Sequence, residues 1–147
     1  MVSKEETVSS QSEFVVQNGM RLTMERNTNQ RRAIRRAFEE AGRPLSPLEV
    51  LQAAKPYSPS LGIATVYRAL KGLTEEGWLL PVELPGESTR FEMAGKPHHH
   101  HFSCRKCKLV LDLPECHDSF KSQVPPGYTV ESHEVVFYGL CPKCARR

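Results

Sequence analysis

The sequence contains no apolar run long enough to cross a bilayer, for which about 20 consecutive apolar residues are needed. Its first residues lack the apolar segment of a secretory signal peptide, and residues 1–18 are predicted to be a disordered tail. These absences predict a cytoplasmic protein with no membrane partner.

Common enzyme motifs are absent as well. No glycine-rich phosphate loop occurs, and neither the His-x-Glu nor the Pro-Cys-x-x-Cys motif of a zinc deaminase is present. His133 and Glu134 are not followed by the second histidine of a metalloprotease helix. We therefore predict neither catalysis nor a small-molecule substrate.

Neither sign of charge dominates, since the formal net charge of the 147 residues is only +3. The basic residues are nevertheless concentrated in one stretch, where seven arginines occur: Arg21, Arg26, Arg31, Arg32, Arg35, Arg36 and Arg43. A basic surface of this kind can contact nucleic-acid phosphates. The alternative is an ordinary solvated helix face.

Five cysteines are present, and four of them form two Cys-x-x-Cys pairs, Cys104 with Cys107 and Cys141 with Cys144. Two residues between the thiols allow both sulfurs of a pair to reach one Zn²⁺ at about 2.3 Å, and two pairs complete a tetrahedron. Such a closed site predicts a structural zinc that stabilises a small domain. The alternative is a redox-active dithiol pair.

The first half of the chain has an apolar period of about 3.6 residues, which predicts helices. The apolar stripe of the first helix, which ends at Gly42, consists of Ala33, Ile34, Ala37, Phe38 and Ala41. Ser46, Pro47 and Glu49 predict a capping box at the start of a second helix, which ends before Pro56. A third helix is predicted at residues 62–76, with a core stripe of Ile63, Val66, Leu70 and Leu73.

Two strands, at residues 78–83 and 89–93, are predicted to follow the third helix around a turn at Pro85 and Gly86. Three helices and a β-hairpin in this order predict an N-terminal winged helix-turn-helix domain at residues 19–93. Residues 94–97 are predicted to be a hinge. The remaining residues, 98–147, predict a small α/β metal-binding domain with strands at 98–104, 109–113 and 128–140 and a helix at 115–124. The fold class is therefore α+β.

An uninterrupted run of four histidines extends from His98 to His101. Side chains alternate along a strand, so His98 and His100 point one way while His99 and His101 point the other. One run can therefore contribute to two metal sites, and the nearby residues that could complete them are Glu92, Asp112, Cys116, His117 and His133. The alternative is a surface histidine cluster without a ligand role.

The outer side of the third helix has the composition of a DNA-reading helix. Ala64 and Thr65 are small and lie near its N-terminus, which allows a close approach to base edges. Tyr67 is suited to a thymine methyl group and Arg68 to a phosphate or a guanine edge, with Lys71 one turn further on. An ordinary amphipathic helix is the alternative.

Four motifs occur in order: GMRLTxxR at residues 19–26, ATVYRxL at 64–70, HHHHxxCxxC at 98–107 and CxxC at 141–144. In this combination the chain resembles the ferric uptake regulator (Fur) superfamily from about residue 19 onward, with its zinc-uptake branch as one candidate. The resemblance implies a homodimer that binds double-stranded DNA at an A/T-rich palindromic operator. It also implies repression of metal-homeostasis genes when the regulatory metal is bound.

The resemblance also assigns roles to individual residues. A regulatory site between the domains uses Glu92, His99, His101 and Asp112. Residues 98–147 correspond to the family's dimerisation and metal-binding domain, and a second site there uses His98, His100 and His133. Arg21 corresponds to a basic residue near the minor groove, and Tyr67 and Arg68 correspond to base and phosphate contacts.

The chain departs from the family pattern in its ligands. The histidine that iron and peroxide sensors carry before the second helix is replaced by the tripeptide Arg-Pro-Leu at residues 43–45, and the cysteine that zinc sensors often carry is missing from residues 93–97. The glutamate that the family places after the second hairpin is also missing, and we expect Cys116 or His117 to replace it. A thiolate would favour Zn²⁺ over Fe²⁺ or Mn²⁺ as the regulatory metal.

We therefore expect a repressor in which metal at the hinge holds the DNA-binding domains at the spacing of two operator half-sites. A peroxide sensor of the same family, in which bound Fe²⁺ oxidises His99 or His101, is one alternative. A zinc-ribbon adaptor that binds protein, without metal-regulated DNA binding, is the other.

Overall fold

Four helices, the last of them short, and two small sheets make up the computed structural model, which describes residues 10–116 and 123–146, with side chains from residue 25 onward. The first three helices are α1 (Ser10–Ala41), α2 (Pro47–Ala54) and α3 (Ile63–Glu75). The antiparallel hairpin of β1 (Leu79–Val82) and β2 (Arg90–Met93) follows them. A second sheet contains β3 (His100–Cys104), β4 (Val110–Leu113) and β5 (Val136–Gly139), and a short helix, α4 (Pro142–Ala145), ends the described chain.

Local sequence signals determine where the helices begin and end. Gly42 adopts φ +59°, a conformation that favours glycine, and it follows the last residue of α1. At the start of α2, the backbone N–H of Glu49 donates to Ser46 Oγ while Glu49 accepts from the backbone of Ser46, so the predicted capping box is present. The bounds predicted for α2 and α3 agree with the structure to within one or two residues.

A single apolar core holds the three helices and the first hairpin together. Ile34, Phe38, Val66 and Leu70 are among its fully buried members. Leu45 and Phe91 exchange two backbone hydrogen bonds of 2.9 Å, which attach β2 to the segment before α2. The resulting unit is a winged helix.

Ile63 does not belong to this core, contrary to the prediction. Its side chain is 37% exposed, whereas Val66, Leu70 and Leu73 are buried. Ile63 is the first residue of α3, and the end of a helix can extend beyond the elements that cover its middle.

The second sheet has the order β4-β3-β5, with β3 antiparallel to β4 and parallel to β5. Its apolar core is small: Val110 packs with Val82 and Leu84 of the wing, and Val136 is half-buried against them. Apolar burial alone therefore gives this sheet little stability.

Three predicted segments differ from the structure. Helix α1 begins at Ser10, so residues 10–18 are helical rather than part of a disordered tail, because helical hydrogen bonding continues through them. Of the predicted strand at 128–140 only β5 forms, because β3 offers backbone partners only at residues 101–104. The predicted helix at 115–124 lies largely outside the described residues, and its first two residues are not helical.

Within the described part of the chain, no helix is both long enough and apolar enough to span a membrane.

Candidate metal centres and nucleic-acid interface

Four cysteine sulfurs meet where the turn after β3 approaches the N-terminus of α4. The ligand atoms of this four-cysteine cluster (Cys104, Cys107, Cys141 and Cys144) all lie within 4.8 Å of one another. Cys107 Sγ is 3.7 Å from Cys141 Sγ, and a tetrahedral zinc with bonds of about 2.3 Å requires sulfurs about 3.8 Å apart. The cluster therefore fits a four-sulfur zinc site.

The electrostatics of the four-cysteine cluster also suit a cation. Hydrogen bonds from the backbone of Cys107 and Cys141, one of them 3.3 Å from the Cys141 N–H, lower the pKa of Cys104 to about 6. Its neighbour behaves in the opposite way, since the hydrogen bond with Cys141 and burial raise the pKa of Cys144 to about 12. Four thiols this close cannot all ionise unless a soft cation such as Zn²⁺ compensates their charge.

The four histidines of the run divide between two faces, as strand alternation predicts. The rings of His99 and His101 lie 5.0 Å apart on one face. Those of His98 and His100 lie 4.8 Å apart on the other. Each pair meets further potential ligands on its own side.

The first pair belongs to a group that spans both sheets. In this interdomain cluster (Glu92, His99, His101 and Asp112) the four ligand atoms lie within 4.8 Å of one another. Glu92 comes from β2 of the wing, whereas His101 on β3 lies opposite Asp112 on the neighbouring strand β4. The structure thus brings together the four residues assigned to the regulatory site.

The protonation of His99 provides a test of whether this group fits a cation. The carbonyl oxygen of Pro97 is 2.8 Å from His99 Nδ1, and a carbonyl can only accept, so Nδ1 carries the proton. With Nδ1 as the donor, a neutral ring would present the lone pair of Nε2 to Glu92 Oε2, which lies 3.1 Å away. Two acceptors at that distance need a proton or a cation between them, and an outward Nδ1–H bond is typical of metal-ligating histidines.

Two further atoms of the interdomain cluster support the same conclusion. His101 Nε2 and Asp112 Oδ1 are buried 3.7 Å apart, and neither has a hydrogen-bond partner among the described residues. Burial without a partner is costly for such atoms. Donor atoms oriented in this way fit a divalent cation.

Lys96, which sequence reasoning missed, also contacts the interdomain cluster. Its Nζ lies 3.0 Å from Glu92 Oε2 and donates to Asp112 Oδ2 as well. Burial alone would raise the pKa of Glu92, but contacts with His101, Lys96 and His99 outweigh it and lower that pKa to about 2. Glu92 is therefore a carboxylate at neutral pH. The only signal in the sequence was a lysine in the predicted hinge, close to the histidine run.

The second histidine pair belongs to the β-domain cluster (His98, His100, Cys116 and His133), whose ligand atoms also lie within 4.8 Å of one another. His133 Nε2 is 3.2 Å from His98 Nε2 and 3.0 Å from Cys116 Sγ. Burial, with smaller contributions from neighbouring histidines, lowers the pKa of His100 and favours the neutral ring that a metal requires. Of the two predicted substitute ligands, Cys116 is in this group and His117 lies outside the described residues.

The outer side of α3 carries the residues predicted to read DNA. Ala64, Tyr67, Arg68 and Lys71 are exposed, and Thr65 is half-buried. The guanidinium of Arg68 donates to Thr65 Oγ1 at 3.2 Å, which orients it along the helix. Arg21 lies within α1, but its side chain is outside the described part of the structure.

Part of the predicted basic face of α1 is neutralised by ion pairs. Arg31 and Arg35 both contact Glu76, and Arg36 pairs with Glu40 at 2.8 Å. These pairs favour the solvated-face interpretation for this part of α1.

Comparison with known proteins identifies the chain's relatives. The model of the ferric uptake regulator family matches residues 17–138. A ferric uptake regulation protein of Helicobacter pylori is 27% identical over 123 residues, which cover 81% of each chain. One from Bordetella parapertussis is 31% identical over 107 residues, which cover 71% of this chain and 77% of that protein.

A solved structure agrees with these matches. The ferric uptake regulator of Francisella tularensis with iron is 27% identical, with 79% of this chain and 91% of that chain covered and a TM-score of 0.62. Proteins of this family are DNA-binding, dimeric, metal-responsive transcriptional regulators and not enzymes. Since the family model matches most of its length, the chain belongs to the ferric uptake regulator family.

Proposed function

We propose that this protein represses metal-homeostasis genes by binding palindromic, A/T-rich operators as a homodimer when a divalent cation occupies the interdomain cluster. The observation that carries this proposal is the origin of the ligands. Glu92 belongs to the wing hairpin, whereas the other three ligands belong to the second sheet and the turn before it. Ligands drawn from both parts make their relative orientation depend on the cation.

The mechanism depends on how firmly each part holds its ligands. A bound divalent cation supplies positive charge that all four ligands can share. Glu92 lies on a hairpin attached to the helices through Leu45 and Phe91. His101 and Asp112 lie opposite each other on the paired strands β3 and β4. Shared ligation therefore favours one angle between the winged helix and the second sheet, at the expense of the others. In a homodimer, that angle sets the distance between the two α3 helices.

Operator reading is assigned to the outer side of α3. Tyr67 is 56% exposed and follows the small residues of the first turn, so its ring can reach a thymine methyl group. Arg68 is suited to a guanine edge or a phosphate, and Lys71 to a phosphate. Arg21 is proposed as a minor-groove contact from α1.

Homodimer formation through the second sheet is supported by its exposed apolar side chains. Phe137 is 53% exposed, and Leu111, Tyr138 and Leu140 are exposed as well. Strand β5 is an edge strand within the described sheet. Exposed apolar side chains beside an edge strand are typical of a subunit interface.

Zinc is proposed as the regulatory metal in preference to Fe²⁺ or Mn²⁺. The interdomain cluster alone, with two imidazoles and two carboxylates, suits all three ions. The β-domain cluster adds the sulfur of Cys116 to three imidazoles, and this ligand set favours zinc. We therefore assign zinc to the two clusters that contain sulfur, and we extend the assignment to the interdomain cluster because its imidazoles and carboxylates also accept zinc.

The test is metal-dependent DNA binding by the full chain. Exchangeable metal is first removed and the retained zinc is measured. The protein is then titrated with Zn²⁺, Fe²⁺ or Mn²⁺, and its binding to a labelled A/T-rich palindrome is measured by fluorescence anisotropy. Zn²⁺ is expected to tighten DNA binding most. His99→Ala should raise the metal concentration needed for DNA binding at least about tenfold, since loss of a residue that supports a metal site typically lowers metal affinity 10–100-fold. Tyr67→Ala is the matched control, which should bind metal normally and lose DNA affinity.

If no metal changes DNA binding while one zinc per chain is retained, the proposal is contradicted and the protein-binding adaptor is favoured. Preference for Fe²⁺ would retain the repressor mechanism and reject the assignment of zinc.

A further inference from the structure

Lys96 reaches into the interdomain cluster from the turn that joins the two sheets. Its Nζ donates to Glu92 Oε2 at 3.0 Å and to Asp112 Oδ2, and its side chain is 21% exposed. Gly95 has φ +83°, a conformation that other residues rarely adopt, and the chain reverses there so that Lys96 turns back toward Glu92. The ammonium thus joins a carboxylate of the wing to one of the second sheet.

The imidazoles approach the same carboxylates. His99 Nε2 is 3.1 Å from the Glu92 oxygen that Lys96 contacts. His101 Nε2 lies 3.7 Å from the other oxygen of Asp112, Oδ1. A cation bound by all four ligands would therefore lie within a few ångströms of the lysine nitrogen.

Charge makes the two cations competitors. A lysine ammonium carries its charge at neutral pH, and that of Lys96 is paired with Glu92 and Asp112. It therefore neutralises one of the two carboxylate charges available to a divalent cation. Coulomb repulsion between the ammonium and a divalent ion is strong at such short distances in a partly buried site.

We propose that Lys96 is an internal competitor of the regulatory metal, so that it sets the metal concentration at which the interdomain cluster is occupied. The ammonium holds Glu92 and Asp112 together until a divalent cation replaces it on these carboxylates, and the lysine then turns toward solvent. This inference rests on the proposed function, because it assumes that the interdomain cluster binds a metal.

The first experiment compares Lys96→Met with Lys96→Arg in the full chain with its four-cysteine zinc in place. Affinity for Zn²⁺ and Mn²⁺ is measured by competition with a chromophoric chelator, and Glu92→Gln identifies the signal of the interdomain cluster. Lys96→Met should bind both ions at least about tenfold more tightly, because it removes a unit charge beside the site. Lys96→Arg keeps the charge and should bind no more tightly than the natural chain.

The second experiment uses the natural chain and does not depend on how a variant folds. Acetylation by a limiting amount of acetic anhydride is followed by mass spectrometry, with and without Zn²⁺. Modification of Lys96 should increase severalfold when the metal binds. Lys71, whose side chain is 78% exposed, is the internal reference and should not change.

The outcomes separate the two proposals. An unchanged or weaker affinity in Lys96→Met, or a constant reactivity of Lys96 despite metal binding, would overturn the competitor role. If Glu92→Gln binds metal as the natural chain does, the interdomain cluster is not a metal site and the proposed function itself fails.

Discussion

Cys116 gives the β-domain cluster a sulfur ligand, which a cluster of imidazoles and carboxylates lacks. Its sulfur lies 3.0 Å from His133 Nε2, and the residue is half-buried. A thiolate is a softer ligand than a carboxylate, so one side chain at this position changes which ions are preferred. The two carboxylates of the interdomain cluster give it no comparable preference.

Replacing Cys116 therefore tests the metal preference at the scale of one residue. Cys116→Ser is expected to lower the zinc affinity of the β-domain cluster at least about tenfold and to leave the zinc of the four-cysteine cluster in place. Cys116→Glu, which supplies a harder ligand, should shift the preference toward Mn²⁺ and Fe²⁺. Cobalt substitution offers a direct measurement, because sulfur-to-cobalt charge-transfer absorption from this site should disappear in both variants. Unaltered affinity in Cys116→Ser would exclude the thiol as a ligand.

At the scale of elements, Arg90 connects the helices to the second sheet. Its buried guanidinium contacts Glu49 of the α2 capping box and the backbone carbonyl of Lys108 in the turn after β3. Arg43 also pairs with Glu49, at 3.0 Å. These contacts make the start of α2 sensitive to the position of the turn that carries Cys107.

Removal of this buried cation is expected to destabilise the protein. Arg90→Met should lower the free energy of unfolding by about 2–3 kcal/mol, because it breaks a buried ion pair and leaves Glu49 to pair with the more exposed Arg43. Urea denaturation measures the change, and amide exchange at Ser46 and Lys108 should show less protection. The matched control is Arg36→Met, which removes an exposed pair and should cost much less, because solvent screens such pairs. Equal losses in the two variants would exclude the connecting role of Arg90.

Contacts between neighbours in sequence were predictable, and contacts between distant residues mostly were not. The capping box at Ser46 and the division of the histidine run follow from local periods of the helix and the strand. Arg90 and Lys96 could not be selected, because their partners Glu49 and Asp112 are 41 and 16 residues away. The predicted strand at 128–140 was too long for a related reason, since strand length depends on the partner and not on β-propensity alone.

At the scale of the whole molecule, stability is unevenly distributed. Among the described residues, the winged helix has an apolar core of twelve buried residues, whereas the core around the second sheet contains three, two of them from the wing. The parallel pairing of β3 with β5 brings the two Cys-x-x-Cys pairs together. The second sheet therefore depends on the four-cysteine cluster more than the helices do.

Loss of this cluster should unfold one part of the molecule before the other. In Cys141→Ser/Cys144→Ser, backbone amide signals of residues 100–113 and 136–146 are expected to collapse in two-dimensional NMR spectra, while those of the α1–α3 core keep their dispersion. Structural zinc contributes on the order of 10 kcal/mol to the folding of small domains, more than the small core can replace. Cys116→Ser, which leaves the cluster intact, is the control. Retention of the second sheet in the double variant would disprove this dependence.

The run from His98 to His101 also has a genetic consequence. Because all four residues are identical, inserting one histidine codon still places imidazoles on both faces of the run, and the turn at 94–97 has to absorb the change. In a strand of mixed residues the same insertion would exchange the contents of the two faces and destroy both ligand sets. Repetition thus makes these two sites tolerant of a one-residue insertion, whereas a deletion leaves three imidazoles for four ligand positions.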